Sequence, residues 1–198
     1  DLSSISDTKN LCEKAISVHG NIDILINNAG YQHMDPVEEF PEDIWAKMIQ
    51  VMLVAPFQLT KAVIPSMKTH QWGRIINLSS IHGLIASPYK SAYTAAKHGI
   101  IGLTKTVALE VGEDGITVNA LCPAYARTPL VDSQIKSQAR THGISESEVM
   151  DTIILNPAAI KHLVEPDEIA NLALFLASDN ARSITGSAYT IDLGWTAR

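Results

Sequence analysis

Four short apolar, β-branched runs separated by longer helical patterns constrain the fold of this chain most strongly. The runs occupy 22–27, 74–79, 117–122 and 188–192, and the helical patterns occupy 5–18, 42–68, 91–111 and 166–177. Strands that are nearly continuous in apolar residues and alternate with helices are typical of a parallel sheet covered on both faces. The pattern therefore predicts an α/β fold with a doubly wound parallel sheet. The polar stretch 132–152 is expected to form either a short helical lid or a loose insertion.

A glycine-rich phosphate loop is missing from the start of the chain. A sheet that binds a dinucleotide needs such a loop after its first strand, and neither G-x-G-x-x-G nor G-x-x-x-G-x-G follows a strand there. The remaining pattern matches the later part of a doubly wound sheet. We therefore expect the first strand–helix repeats to precede Asp1, because the run 22–27 would otherwise be an exposed apolar sheet edge.

Composition narrows the class of protein. The length of 198 residues suits a single domain, and the mean hydropathy is +0.09. No uninterrupted apolar run approaches the ~18 residues that a membrane span needs, so we expect no membrane partner. A net charge of -6 without a basic block argues against a nucleic-acid partner. Cys12 and Cys122 lie in a helical and a strand pattern, which indicates buried thiols in a reducing, cytoplasmic setting.

Ser80, Tyr93 and Lys97 carry the strongest chemical signal. The sequence Y-T-A-A-K separates the tyrosine from the lysine by four positions, so a helix over 91–103 puts the phenol and the ammonium on one face. A free tyrosine has a pKa near ~10, and we expect the neighbouring cation to lower this pKa. Ser80 follows a strand-like run, where its hydroxyl would hold a substrate oxygen. Together the three groups suit proton transfer at a carbonyl or alcohol carbon.

These residues belong to a longer series of motifs. The series consists of N-N-A-G at 27–30, Ser80, Tyr93 and Lys97, V-N at 118–119, C-P at 122–123 and T-P at 128–129. In this order the chain resembles the short-chain dehydrogenase/reductase family over essentially its whole length. The resemblance implies a Rossmann-like fold and a nicotinamide cofactor. It also implies that Tyr93 transfers the substrate proton, that Lys97 lowers the pKa of Tyr93 and binds the nicotinamide ribose, and that Ser80 holds the substrate oxygen.

The same resemblance implies a set of cofactor-binding residues, and we expect the cofactor to be NAD. The set is Asp1, Leu2, Asn28, Ala29, Gly30, Tyr93, Lys97, Pro123, Tyr125, Thr128 and Leu130. Asp1 and Leu2 match the pair that contacts the adenine, and Tyr125 is expected to add an aromatic wall near the nicotinamide. The residue that separates NAD from NADP follows the second strand of the complete fold, so this sequence leaves that choice open.

Two positions depart from the family pattern. Met52 stands where the family usually has an asparagine that helps a water-linked proton relay. Because a thioether cannot carry a proton, the relay needs another route or is slower. Ala124 stands where the family usually has a glycine, which puts one extra methyl group near the nicotinamide.

Within the family, the substrate-site pattern is most similar to that of enzymes acting on 3-hydroxybutyrate. The substrate-binding residues implied by this likeness are Gln32, Ser80, His82, Lys90, Tyr93 and Gln134. A short hydroxy acid needs donors for its carboxylate: Lys90 supplies charge, and the amides and the imidazole supply direction. The prediction is an oxidoreductase that interconverts D-3-hydroxybutyrate and acetoacetate by hydride transfer with the nicotinamide cofactor.

Two other functions stay open. One is reduction of a bulkier 3-oxoacyl thioester, although a carrier-bound thioester does not need this concentration of donors. The other is a non-catalytic member of the family, which fits Met52 and the missing loop but not the presence of Ser80, Tyr93 and Lys97.

The remaining expectations concern metals and assembly. The other histidines show no metal-ligand spacing, so we expect no metal site. Trp195 is interpreted as core packing or a subunit contact, with closure of the substrate pocket as the less favoured alternative. The family resemblance implies a homotetramer, with helices 42–68 and 91–111 at the subunit interface.

Overall fold

Four parallel strands form one sheet in the order β1, β2, β3, β4. The computed structural model describes residues 1–197, apart from the side chains of Leu130, Ser133, Ser137 and Thr141. The strands are β1 (Ile24–Asn27), β2 (Gly73–Leu78), β3 (Ile116–Pro123) and β4 (Ala188–Ile191). The helices are α1 (Ile5–His19), α2 (Glu42–Ile49), α3 (Ala55–His70), α4 (Ser91–Val111), α5 (Pro129–His142), α6 (Glu146–Val149) and α7 (Pro166–Ala177). The predicted parallel sheet and its main helices are confirmed.

Helices cover both faces of the sheet because successive strand residues point to opposite sides. On one face, Ile75 of β2 and Val118 of β3 pack in the same cluster as Met67 of α3 and Val107 of α4. On the other face, Ile76, Leu121 and Leu176 of α7 form a second cluster. Burial on both faces explains why β2 and β3 are nearly continuous in apolar residues.

The edge of the sheet at β1 is apolar and partly exposed. Within the described residues, β1 pairs with β2 and with no other strand. Ile24 and Ile26 are 44% and 50% exposed, whereas Ile75 in the neighbouring strand is 1% exposed. This exposed apolar edge is the one that led us to expect strand–helix repeats before Asp1.

A π-helical turn interrupts the longest helix. The helices α2 and α3 are continuous through this turn, Gln50–Val54, in which the Ala55 N–H donates to the Gln50 carbonyl. Pro56 follows directly, and proline has no N–H with which to continue the α-helical hydrogen bonds. The wider turn accommodates this gap, and it carries Met52. Single π turns of this kind are frequent at functional sites.

The continuous helix Glu42–His70 contains an 18-residue window with a mean hydropathy of 1.4, so its length and composition alone would allow it to cross a membrane. Apolar helices in the core of globular proteins meet the same criterion. In this fold 39% of the window is buried. Met48, Met52 and Met67 of the helix are each at most 2% exposed, which is the pattern of a core helix.

The segment between β3 and α7 is largely helical. It contains α5, α6 and a second π-helical turn, Met150–Ile154. Val131, Ile135, Val149 and Leu163 form a small apolar cluster there, separate from the clusters on the main sheet. The helical alternative for 132–152 is therefore confirmed, and the separate cluster explains how a polar stretch holds its fold.

Candidate active site

A cleft of about 790 Å³ opens where the loops after β1, β2 and β3 meet α4, α5 and α7. In open parallel α/β sheets, ligands bind at the carboxyl ends of the strands. The predicted site residues that line the cleft are Asn28, Gly30, Gln32, Ser80, His82, Lys90, Tyr93, Lys97, Pro123, Tyr125, Thr128 and Gln134. Asp1, Leu2 and Ala29 are not among its described lining residues, and the Leu130 side chain lies outside the described residues.

Tyr93 and Lys97 lie on one face of α4, as the spacing of four predicts. The Lys97 Nζ is 5.5 Å from the centroid of the Tyr93 ring, and Lys97 is 5% exposed. The same Nζ donates a hydrogen bond of 2.6 Å to the backbone oxygen of Leu78. The end of β2 thus holds the ammonium beside the phenol ring.

The pKa values of this pair differ from the expectation. Burial raises the pKa of Tyr93, and a hydrogen bond with Ser80 partly opposes the rise. Burial also lowers the pKa of Lys97 to about 8. The expected lowering of the Tyr93 pKa by Lys97 is therefore not found, because burial disfavours both charged forms. Tyr93 is held as a neutral phenol near neutral pH, which is the form that donates a proton.

Ser79 and Gly83, which the sequence analysis did not single out, fix the position of Ser80. The Ser79 Oγ donates 2.9 Å to the backbone oxygen of Lys97, so the segment after β2 is bonded directly to α4. A Cβ at Gly83 would collide with that hydroxyl and with the same backbone oxygen. Ser80 itself begins a short 3₁₀ turn, Ile81–Gly83, and its Oγ accepts from the backbone N–H of His82 at 3.2 Å.

A buried amide network ties the N-N-A-G segment to the rest of the site. The Asn27 side chain donates to Asn77 Oδ1 at 2.8 Å, and the Asn77 side chain donates to Thr104 Oγ1 at 2.9 Å. These contacts join the ends of β1 and β2 to α4. Polar residues inside otherwise apolar strands were the signal that could have identified this network, because buried amides need partners.

Lys90 and His82 form a buried pair that lines the cleft. The Lys90 Nζ lies 3.1 Å from the His82 Nε2, and the two residues are 4% and 7% exposed. Burial and the nearby ammonium lower the pKa of His82 to about 4, so the imidazole is neutral and accepts from Lys90. Burial lowers the pKa of Lys90 to about 8, which leaves it mostly charged at neutral pH. The His82 Nδ1 is buried and has no partner among the described residues.

Gln32 and Gln134 complete the predicted substrate set. The Gln134 Nε2 donates 3.1 Å to the Gln32 Oε1, which bonds α5 to the loop after β1. The Gln32 Nε2 is buried and has no hydrogen-bond partner within the described part of the chain. An unpaired buried donor is unfavourable unless a ligand satisfies it, so this amide fits a binding site for an oxygen-rich ligand.

Tyr125 lies next to Lys90, a residue of the predicted substrate set. We expected its ring beside the nicotinamide. Its hydroxyl is 3.4 Å from the Lys90 Nζ, and its ring packs on Trp195 with 5.6 Å between the ring centroids. Trp195 thus packs against a residue that lines the cleft.

Gly30 leaves room for a flat ring next to Lys97. A Cβ at Gly30 would lie 3.3 Å from the Met52 Sδ and 3.8 Å from the Lys97 Nζ, so glycine keeps open the space that a side chain would fill. Backbone that approaches a cofactor closely needs this opening. The residues present thus fit a nicotinamide nucleotide. Met52 is 2% exposed and contributes packing at a position where the family usually offers an amide.

Comparison with known proteins agrees with the family resemblance of the sequence motifs. A family model described as enoyl-(acyl carrier protein) reductase matches residues 1–196. The chain belongs to the short-chain dehydrogenase/reductase family. Members of this family are oxidoreductases that use a nicotinamide cofactor, and the cleft described above is the corresponding candidate site.

Individual members of the family are similar to this chain over its whole length. The chain is 48% identical to a D-beta-hydroxybutyrate dehydrogenase of Rhizobium meliloti over 198 residues, which is 100% of this chain and 77% of the relative. It is 42% identical to a D-beta-hydroxybutyrate dehydrogenase of Cupriavidus necator, again over 100% of this chain and 77% of the relative. A solved structure of a 4-hydroxyisoleucine dehydrogenase complexed with NADH superimposes with a TM-score of 0.83 at 36% identity, covering 100% of this chain and 79% of that one.

Proposed function

We propose that this oxidoreductase interconverts D-3-hydroxybutyrate and acetoacetate with NAD. The observation that carries the proposal is one cleft lined by the buried cation of Lys90, by unpaired donors of His82 and Gln32, and by Tyr93. A charged donor among neutral ones suits one small carboxylate. The names of two close relatives, both D-beta-hydroxybutyrate dehydrogenases, support the same substrate.

In this proposal Tyr93 is the residue that transfers the substrate proton. In ketone reduction its phenol gives a proton to the carbonyl oxygen, and in alcohol oxidation its phenolate takes the hydroxyl proton. The Ser80 hydroxyl, which is bonded to Tyr93, orients the same substrate oxygen. Lys97 stabilises the phenolate when the proton has left, because its ammonium is held 5.5 Å from the ring centroid. Groups positioned in this way typically accelerate a reaction by about 10²–10⁴-fold.

We propose that the cofactor site consists of cleft residues outside the Lys90 and His82 pair. Asn28, Gly30, Lys97, Pro123 and Thr128 would hold the nicotinamide nucleotide. The chemistry supplied by the bound nicotinamide is hydride transfer to and from the carbinol carbon. We propose NAD rather than NADP, in line with the NADH named for the structural neighbour.

A 3-oxoacyl thioester is a poorer fit to the same site. Its reacting end carries no charge, so Lys90, His82 and Gln32 would be left without an anion to bind. Leaving such buried donors unpaired opposes binding. The donor set therefore favours a free acid over a carrier-bound substrate.

Steady-state kinetics test the proposal directly. The purified protein is assayed with D-3-hydroxybutyrate, its L enantiomer, acetoacetate and an acetoacetyl thioester, each with NAD(H) and NADP(H). We expect the highest kcat/KM with the D acid and NAD, and with acetoacetate and NADH. A higher kcat/KM for the thioester than for acetoacetate would replace this proposal with thioester reduction. No turnover of any substrate would favour a non-catalytic role.

We also propose a homotetramer in the cytoplasm. Trp45, Phe57 and Leu109 are 38%, 48% and 89% exposed on α2, α3 and α4, which supports a subunit interface on these helices. Cys12 and Cys122 are buried free thiols, which fits a reducing compartment. Sedimentation equilibrium of the purified protein would measure the oligomeric state.

A further inference from the structure

Tyr125 lies beside Lys90 in the cleft. Its Oη is 3.4 Å from the Lys90 Nζ, and the same Nζ is 3.1 Å from the His82 Nε2. The ammonium has three N–H groups, so two of them are directed to these neighbours and one is left for a ligand. The hydroxyl of Tyr125 is thus an immediate neighbour of the position where a ligand oxygen would bind Lys90.

The direction of the Tyr125 O–H bond follows from what its neighbours can accept. An ammonium has no acceptor, so the Tyr125 oxygen accepts from Lys90 and its own proton points elsewhere. Burial raises the pKa of Tyr125, and the nearby Tyr93 adds to the rise, so the hydroxyl keeps its proton. A protonated hydroxyl beside an ammonium offers two donors to one carboxylate.

The C-terminal turn holds the Tyr125 ring in place. Trp195 packs on this ring with 5.6 Å between centroids and an interplanar angle of 44°. The turn that carries Trp195 is closed by Asp192, which accepts the backbone N–H of Gly194 at 3.1 Å and that of Thr196 at 2.9 Å. Asp192 is only 8% exposed, so the turn is anchored in the protein interior.

We propose that Tyr125 is a specificity-determining residue whose hydroxyl binds the substrate carboxylate together with Lys90, and that Trp195 positions it. The identity of the anion rests on the proposed function, whereas the two-donor site rests on the geometry. Tyr125 is accordingly assigned to substrate recognition and not to the wall of the cofactor site.

The substitution Tyr125→Phe tests the hydroxyl because it keeps the ring that packs on Trp195. We expect KM for D-3-hydroxybutyrate and the inhibition constant of acetate to rise roughly tenfold, as for loss of a hydrogen bond to a charged group. The Kd of NADH and kcat should change less than about twofold. Tyr189→Phe is the matched control, since Tyr189 lies in β4 outside the cleft lining and should leave every constant unchanged.

Two results would overturn the assignment. One is an unchanged KM and acetate inhibition constant in Tyr125→Phe. The other is a rise in the Kd of NADH as large as the rise in KM, which would show that Tyr125 contributes to the cofactor site.

Acetate binding separates this inference from the proposed function. Titration calorimetry of acetate into the complex with NADH reports the carboxylate site even for a protein that does not oxidise hydroxybutyrate. If Tyr125→Phe binds acetate roughly tenfold more weakly than the wild type, the inference is supported whether or not the protein oxidises hydroxybutyrate. Equal acetate binding by both proteins overturns it, whatever the substrate proves to be.

A double-mutant cycle tests the role of Trp195. If Trp195 acts only by positioning the Tyr125 hydroxyl, Trp195→Phe raises KM in the wild-type background and has no further effect in Tyr125→Phe. Its effect on kcat should be small in both backgrounds. An equal effect on KM in both backgrounds would show that Trp195 acts independently of Tyr125.

Discussion

Lys90 donates to His82 across 3.1 Å in the interior of the protein, and the acceptor carries no charge. A buried ammonium is usually paired with a carboxylate, which cancels its charge. Here the partners are a neutral imidazole and the Tyr125 hydroxyl, so the charge remains available to an anionic ligand.

Substrate binding should weaken above about pH 8. The Lys90 ammonium, with its pKa lowered to about 8, is charged below that pH and neutral above it. KM for hydroxybutyrate should therefore be lowest near neutral pH and rise by up to about tenfold per pH unit above pH 8. Because Lys97 has a similar pKa and acts on both substrates, the measurement is the ratio of KM for the acid to KM for its methyl ester. A ratio that stays constant through pH 8 would contradict the assignment of Lys90.

Removing the Lys90 charge should weaken acid binding selectively. We expect Lys90→Met, which keeps most of the side-chain volume, to raise KM for hydroxybutyrate ten- to hundred-fold, corresponding to about 1.5–3 kcal/mol for a charge-assisted contact. KM for the cofactor should barely change. The methyl ester, a poor substrate of the wild type, should be no poorer with the variant. Equal losses for acid and ester would mean that Lys90 supports the fold.

Tyr93→Phe should abolish turnover while the cofactor still binds within a few-fold. The ring keeps its packing, but the proton donor is lost, and we expect kcat to fall by about 10²-fold or more. Lys97→Ala should damage both kcat and cofactor affinity, because its ammonium lies near both the phenol ring and the space next to Gly30. Single-turnover kinetics and NADH fluorescence titration measure the two effects. If Tyr93→Phe kept more than a tenth of the wild-type kcat, Tyr93 would not be the proton donor.

L-Threonine should be rejected although it differs from the D acid only by an ammonium group on C2. Among the described residues that line the cleft, the charged ones are Lys90 and Lys97, and none is Asp or Glu. A second ammonium would be buried without a counter-charge, so we expect kcat/KM to be at least about a hundredfold lower than for D-3-hydroxybutyrate. Comparable values for the two compounds would require an acidic group near C2 and would contradict the site.

Gly83→Ala should disturb catalysis through the backbone. The new methyl group meets the Ser79 hydroxyl and the Lys97 backbone oxygen, so we expect a loss of about 1–3 kcal/mol in the free energy of unfolding and a lower kcat. Gly102→Ala in α4 is the matched control, because nothing lies within 4 Å of its Cβ. That control should be neutral or stabilising by up to about 1 kcal/mol. Urea unfolding and kcat measure both variants, and equal stability of the two would refute the close approach at Gly83.

The sheet and its helices were predictable because each rests on a local pattern. The apolar runs at 74–79 and 117–122 correspond to β2 and β3, which are buried on both faces and so show an unbroken apolar signal. The spacing of Tyr93 and Lys97 was readable for the same reason, since both lie in one helix. The residues Gln32 and Gln134 came from family resemblance alone, because 102 positions separate two side chains that lie in contact.

Other features depend on tertiary packing and could not be read from the sequence. The raised pKa of Tyr93 results from burial, which outweighs the opposing hydrogen bond with Ser80. The Tyr125 hydroxyl reaches Lys90 because the turn after β3 lies against the start of α4 and against Trp195. The π turn at Gln50–Val54 was hidden because a π turn has the composition of the α-helix around it.

The two lysines of the cleft also shape how a ligand arrives. The protein carries a net charge of -6, which opposes the approach of small anions, yet Lys90 and Lys97 donate hydrogen bonds to uncharged groups, the imidazole of His82 and the carbonyl of Leu78. The cleft is consequently a local region of positive potential on an acidic surface, and field lines concentrate where the surrounding dielectric is low. Over distances beyond about 8 Å in physiological salt, both fields are screened. An incoming hydroxy acid is therefore guided only over the last few ångströms, and added salt weakens the repulsion by the outer surface as well as the attraction by the cleft.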